Sequence, residues 1–204
     1  MKKKSSTFLF FTTIIIGLSY SFLPYSGLNN TVLSVLGTFW NLLFAGLAGY
    51  YLLKNDFLSQ FKHFSFKALL WGIPLIFVSG TLFSLVYSYF FGKATTNSIG
   101  ETISFVMIFF QVPFMLMGEE LLSTNILISL QKKGISFLWS TIICSFLFAM
   151  WHIPAYGFHP LQLLITLMPA RIALNYIWKK SNSIWVSWIC HFIYDCIGFL
   201  PFFF

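Results

Sequence analysis

The chain has 204 residues, 58% of them hydrophobic and only 8% charged, with a mean hydropathy of +0.82 and a formal net charge of +7. Soluble domains carry about 25% charged residues, so this sequence has too little charge to cover a water-facing surface and reads as a membrane protein. Its basic residues fall in small clusters between apolar runs, which points to the lipid bilayer and not to nucleic acid as partner.

Seven apolar runs approach or exceed the roughly 20 residues that a spanning helix needs: 8–24, 32–53, 67–91, 103–130, 137–155, 161–178 and 183–203. The first follows a lysine-rich start but exits through Leu23-Pro24-Tyr25-Ser26-Gly27. That exit lacks the small-x-small pattern of a signal-peptide cleavage site, so the run reads as an uncleaved span. Cys144, Cys190 and Cys196 lie in apolar runs with no CxxC spacing and read as buried free thiols. The expected fold class is all-α, a polytopic transmembrane helical bundle of about seven spans. Residues 1–102 hold spans one to three, and residues 103–204 hold spans four to seven.

Threading seven spans from a cytoplasmic amino terminus puts Lys2, Lys3, Lys4, Lys54, Lys62, Lys67, Lys132, Lys133, Lys179 and Lys180 on the cytoplasmic side. Only Lys93 falls opposite, and Arg171 falls inside the sixth span. This one-sided bias predicts a multi-pass protein of the cell membrane with its amino terminus inside. Glu101, at the outer mouth of the fourth span, reads as a boundary charge.

Five carboxylate or imidazole side chains stand inside spans: Glu119, Glu120, His152, His191 and Asp195. A charge at the bilayer centre costs roughly 2.5–3.5 kcal/mol on insertion scales, so such residues are rare unless they act together. A helix rises ~1.5 Å per residue, which puts Glu119 ~20 Å from the lysine side, His191 ~16 Å, Asp195 ~22 Å and His152 ~25 Å. Three helices therefore bring polar groups to one layer.

Gly118-Glu119-Glu120 lies on the fourth span, with Pro113 expected to kink the helix a turn and a half earlier. Adjacent residues point about 100° apart on a helix, so one glutamate faces a cavity while the other reaches a neighbouring helix or the backbone. Phe148 and His152 share a face at i, i+4, as do His191 and Asp195. A carboxylate in low dielectric acts as a base near neutral pH, and histidine shares water's proton or binds a metal. A further polar pair holds the oxyanion formed when water attacks a carbonyl. The residues point to hydrolysis of a peptide bond by activated water.

The ordered trio Glu-Glu, Phe-x-x-x-His and His-x-x-x-Asp resembles the CAAX protease and bacteriocin-processing (CPBP, or Abi) family of intramembrane proteases over about residues 103–199. The resemblance implies that Glu119 activates water together with His152, while His191 and Asp195 bind it or stabilise the oxyanion. It also implies a peptide or protein substrate. The family is described both as metalloproteases and as glutamic proteases. A divalent metal such as zinc on Glu119, His152, His191 and Asp195 is therefore one alternative, and a metal-free site the other.

The sequence departs from the family pattern at Thr124, where an arginine is expected. Arg171 is the substitute at hand, ~12 Å from the lysine side against ~18 Å for Glu120, within reach of a long side chain. Arg171 is therefore expected to pair with Glu120. Three other readings stay open: a degenerate, non-catalytic member that acts as an immunity partner, a proton-coupled transporter, and plain helix-to-helix glue. A site-2-type His-Glu-x-x-His and a presenilin-type Gly-x-Gly-Asp are both absent.

Overall fold

The computed structural model describes residues 3–203. Lys2, part of the amino-terminal lysine cluster, lies outside the described residues, and for Lys3 and Glu101 only the backbone is described. Every regular element among the described residues is helical. The long helices are α1 (Lys3–Phe22), α2 (Asn30–Leu53), α4 (Phe66–Phe91), α6 (Val112–Lys132), α7 (Phe137–Trp151), α9 (Pro160–Ser181) and α10 (Ile184–Phe199), and short helices α3 (Asn55–Ser59), α5 (Phe105–Phe110) and α8 (Ile153–Tyr156) sit between them.

Five of these helices are long and apolar enough to cross a membrane, and α7 is a shorter apolar helix. The remaining apolar run is covered by α5 and α6 together, and polar residues such as Glu119 and Glu120 lower its hydropathy. The chain is thus a multi-pass membrane protein. Its large apolar side chains face outward along α1, α2 and α4, as at Phe11, Leu47 and Val78, where lipid is their solvent.

Side-chain caps set where helices begin. Asn29 accepts from the Val32 amide, Ser65 from Ala68, Ser104 from Met107 and Ser136 from Trp139, each satisfying an otherwise orphaned N–H. The fourth span is not one kinked helix. Helix α5 stops at Phe110, Gln111 leaves helical geometry at φ −121°, ψ −52°, and Pro113 opens α6. Proline fits the first turn of a helix because its missing N–H has no partner there in any case. Pro113 therefore starts a helix instead of bending one, and its carbonyl accepts from Trp188 Nε1 at 2.8 Å.

Helix α6 is the central post: Leu116–Met117–Gly118 and the run from Glu120 to Leu127 are buried, with α2, α1, α7 and α10 around it. Helix α9 is the second post, held between α4, α7 and α10. Contacts at the lysine-rich end tie its connections together: Lys132 pairs with Asp56, Lys179 donates to Gln131 at 3.1 Å, and the Ile184 amide donates to the Gln60 carbonyl at 3.0 Å. At the other end, the strap between α4 and α5 is clamped to α9. Thr95 N and Oγ1 both donate to Gln162 Oε1 at 3.0 Å, and Gln162 Nε2 donates back to the Thr95 carbonyl at 2.9 Å.

Candidate active site

The two adjacent glutamates divide as their angular offset on the helix requires. Glu120 is fully buried and turns into the bundle, where Arg171 Nη1 and Nη2 donate to its two oxygens at 2.6 and 3.0 Å. This is the fork-on-fork geometry that a guanidinium offers and an ammonium does not. Arg171 Nε donates to Asn175 Oδ1 at 3.0 Å, and Asn175 Nδ2 donates to Ser145 Oγ at 3.3 Å. The guanidinium also lies over the Phe148 ring, 5.3 Å from its centroid. Thr124, the family's arginine position, is buried and hydrogen-bonds back to the Leu121 carbonyl.

Glu119 faces a cavity, with its side chain 17% exposed. His152 Nε2 stands 3.8 Å from Glu119 Oε1, and His191 Nε2 stands 3.9 Å from Glu119 Oε2 and 3.9 Å from Asp195 Oδ1. These gaps exceed a direct hydrogen bond and suit one interposed water.

Neighbours fix both histidine tautomers. A carbonyl only accepts, so the 2.8 Å contact between His152 Nδ1 and the Phe148 carbonyl is an Nδ1–H donation, which leaves Nε2 toward Glu119. Likewise His191 Nδ1 donates to Glu120 Oε1 at 3.0 Å, and its Nε2 turns to Glu119 and Asp195. Phe148 packs 4.4 Å from the His152 ring centroid and holds that ring against α7.

Two cavities meet at this cluster. The larger, about 540 Å³, lies among α1, α2 and α6, and the smaller, about 310 Å³, lies among α4, α9 and α10. Glu119, His152, Phe148, Met115, Asn97 and Ile99 line both. The strap residues Asn97 and Ile99 thus belong to the walls of both cavities, as does the carboxylate. Arg171, His191 and Asp195 line the smaller cavity.

Glu119, His152, His191 and Asp195 are therefore brought together, with Glu120, Arg171 and Phe148 directly behind them. His159 stands apart as the residue before α9. Asn175, Ser145 and the Thr95–Gln162 clamp went unread in the sequence. Asn175 had a signal, lying one turn beyond Arg171, whereas Ser145 and Thr95 became visible only through contacts between helices. As to a metal, no group of three or more His, Cys, Asp or Glu among the described residues converges closely enough to hold an ion.

Comparison with known proteins falls on the same helices. Residues 100–197 match the family model described as Rce1-like, type II CAAX prenyl endopeptidase Rce1-like. That segment runs from the strap into α10 and carries all seven of the residues just described, so the second half of the chain is similar to this family of CAAX-type endopeptidases. No curated protein and no solved structure matches the chain.

Proposed function

We propose that the chain is an intramembrane endopeptidase that cleaves a peptide bond with water activated between Glu119 and His152. The observation that carries this reading is the meeting of one cavity-facing carboxylate with two imidazole Nε2 atoms at 3.8 and 3.9 Å. Water held there gives one proton toward Glu119 and the other toward His152 Nε2, and its oxygen attacks the substrate carbonyl. Glu119 takes the proton as the C–O bond forms. The tetrahedral oxyanion is held by His191, which in its imidazolium form donates from Nε2 while Asp195 faces the same nitrogen. Glu119 then returns its proton to the leaving amine as the C–N bond breaks, so water's OH ends on the new carboxyl group and its H on the new amine.

Glu120 and Arg171 position this set and do not themselves react. Their pairing supports activity despite the missing family arginine at Thr124. In this reading residues 103–204 form the catalytic core and residues 1–102 its outer wall. The biological role we propose is maturation of a small peptide or self-immunity against a bacteriocin.

The test is cleavage of a quenched-fluorescent peptide library by the purified chain in nanodiscs, beside Glu119→Gln and with a chelator. Cleavage lost in the variant supports the reading, and chelator sensitivity assigns a metal to the reaction. Equal cleavage by both proteins, or none by a well-folded wild type, overturns it in favour of a non-catalytic partner or a transporter.

A further inference from the structure

Helix α2 carries a polar stripe that the hydropathy of its 24 residues conceals. Asn30, Ser34, Thr38 and Asn41 follow one another at intervals of four, four and three, so they share one face. All four line the larger cavity, as does Glu119. The stripe begins at the open mouth, where Asn30 and Ser34 are exposed, and ends at Thr38 and Asn41, which are buried.

The shallower hydroxyl groups have partners: Thr38 Oγ1 donates to the Ser34 carbonyl at 2.8 Å, and Ser34 Oγ to Gln111 Oε1 at 3.4 Å. Asn41 differs. It is 6% exposed, and its Oδ1 has no hydrogen-bond partner. A buried amide oxygen without a donor is unstable in a dry site, and it is well placed to accept from a ligand.

The deep end of the stripe is at the level of the carboxylate. Helices α2 and α6 touch at Gly118, where an added Cβ falls 2.8 Å from Asn41 Cβ, and Glu119 is the next residue. From Asn30 to Asn41 the helix rises roughly 16 Å, the length of about five residues of extended chain. The cavity volume lies in the range of a ligand site. Tyr20 and Ser21 of α1 form part of the facing wall.

We propose that this chamber binds the substrate as an extended, unprenylated peptide of about five residues. Asn41 pairs with a backbone amide and so delivers the scissile carbonyl to Glu119. A peptide brings an N–H donor for Asn41 Oδ1, whereas an isoprenoid tail brings none and leaves that oxygen without a partner. The proposal rests on the protease reading above and adds the substrate class, on a helix outside residues 100–197.

The test uses the full chain in nanodiscs, with a photo-crosslinking amino acid at Ser34 and, as control, at Leu43 on the outer face of the same helix. The probe is a biotinylated library of unprenylated decapeptides, and the competitors are unlabelled decapeptides and farnesyl-cysteine methyl ester. Labelling at least tenfold stronger at Ser34 than at Leu43, displaced by peptide and not by the farnesyl compound, is the expected result. In parallel, Asn41→Ala is expected to raise KM about tenfold and leave kcat within twofold.

Equal labelling at the two positions, displacement by the farnesyl compound, or an unchanged KM overturns the proposal. Because crosslinking needs no turnover, it reads out even if Asn41→Ala fails to fold. A Glu119→Gln variant that still cleaves peptide sinks the catalytic reading instead and leaves the labelling result to decide the chamber.

Discussion

The Arg171 guanidinium holds both carboxylate oxygens of Glu120, at 2.6 and 3.0 Å, and one of those oxygens also accepts from His191 Nδ1 at 3.0 Å. A single buried carboxylate thus joins the cation of α9 to the imidazole of α10. Because Glu120 accepts on the Nδ1 side, the His191 Nε2 atom is left facing Glu119 and Asp195. The pair therefore does two things: it neutralises a charge deep in the bundle and it fixes a tautomer.

Arg171→Gln is expected to destabilise the fold by about 3–5 kcal/mol, because it leaves Glu120 buried without its cation. The loss is visible as a lower unfolding midpoint in detergent. Simultaneous Arg171→Met and Glu120→Leu is expected to recover much of the stability, since replacing a buried pair with apolar groups is often near neutral, but not the activity, since His191 then loses its Nδ1 acceptor. If Arg171→Gln unfolded at the wild-type midpoint, the pair would have no structural weight.

The two glutamates are expected to fail in opposite ways. Glu119 makes no direct hydrogen bond to either histidine, its nearest imidazole nitrogens being 3.8 and 3.9 Å away. Glu119→Gln is therefore expected to change Tm by no more than about 2 °C, under 1 kcal/mol for a chain of this size, while lowering kcat about 10²–10⁴-fold as the base is lost. Glu120→Gln is expected to lower Tm by several degrees through loss of a charge-assisted fork. Thermal unfolding and turnover measured on the same two preparations check both statements.

Much of this was legible from composition and spacing, for physical reasons. The apolar runs matched α1, α2, α4, α9 and α10 within a few residues, because lipid demands long uninterrupted helices whose backbone groups pair internally. The division of labour between Glu119 and Glu120 followed from the angle between adjacent residues on a helix. The break at Gln111 was not legible, because a proline that kinks a helix and one that begins a helix are the same residue in the same apolar run. The stripe on α2 was hidden by its own setting, since four polar residues at helical spacing vanish in a 24-residue average. Their meaning needed the cavity, and the cavity needed α1 and α6 in place.

Gly118 is a point of close approach between the central post and the helix of the stripe. An added Cβ there falls 2.6 Å from the Leu42 backbone nitrogen, and backbone cannot swing aside as a side-chain tip does. Gly118→Ala is thus expected to push α2 away from α6, at a cost of about 1–3 kcal/mol as an overpacked contact. Activity is expected to fall further than stability alone explains, because the shift widens the chamber beside Glu119. The check is the ratio of kcat/KM to folded fraction at a temperature where both proteins are folded.

The cavities also predict from which side a substrate arrives. Their lining draws on the connections around Pro24, Thr95–Ser98 and Pro154–Tyr156, and on no residue between 54 and 67, 131 and 136, or 179 and 184. Those last three stretches hold seven lysines, whereas Lys93 stands alone at the cavity end. The positive-inside rule predicts that the lysines lie in the cytoplasm and that the mouth opens outward. With Cys196 replaced by serine, Ser98→Cys is expected to react with a membrane-impermeant maleimide on intact cells. Ser59→Cys, in the lysine-rich connection, is expected to react only after lysis. The reverse pattern would turn the site toward the cytoplasm, and with it the choice between peptides that arrive from outside and proteins made within.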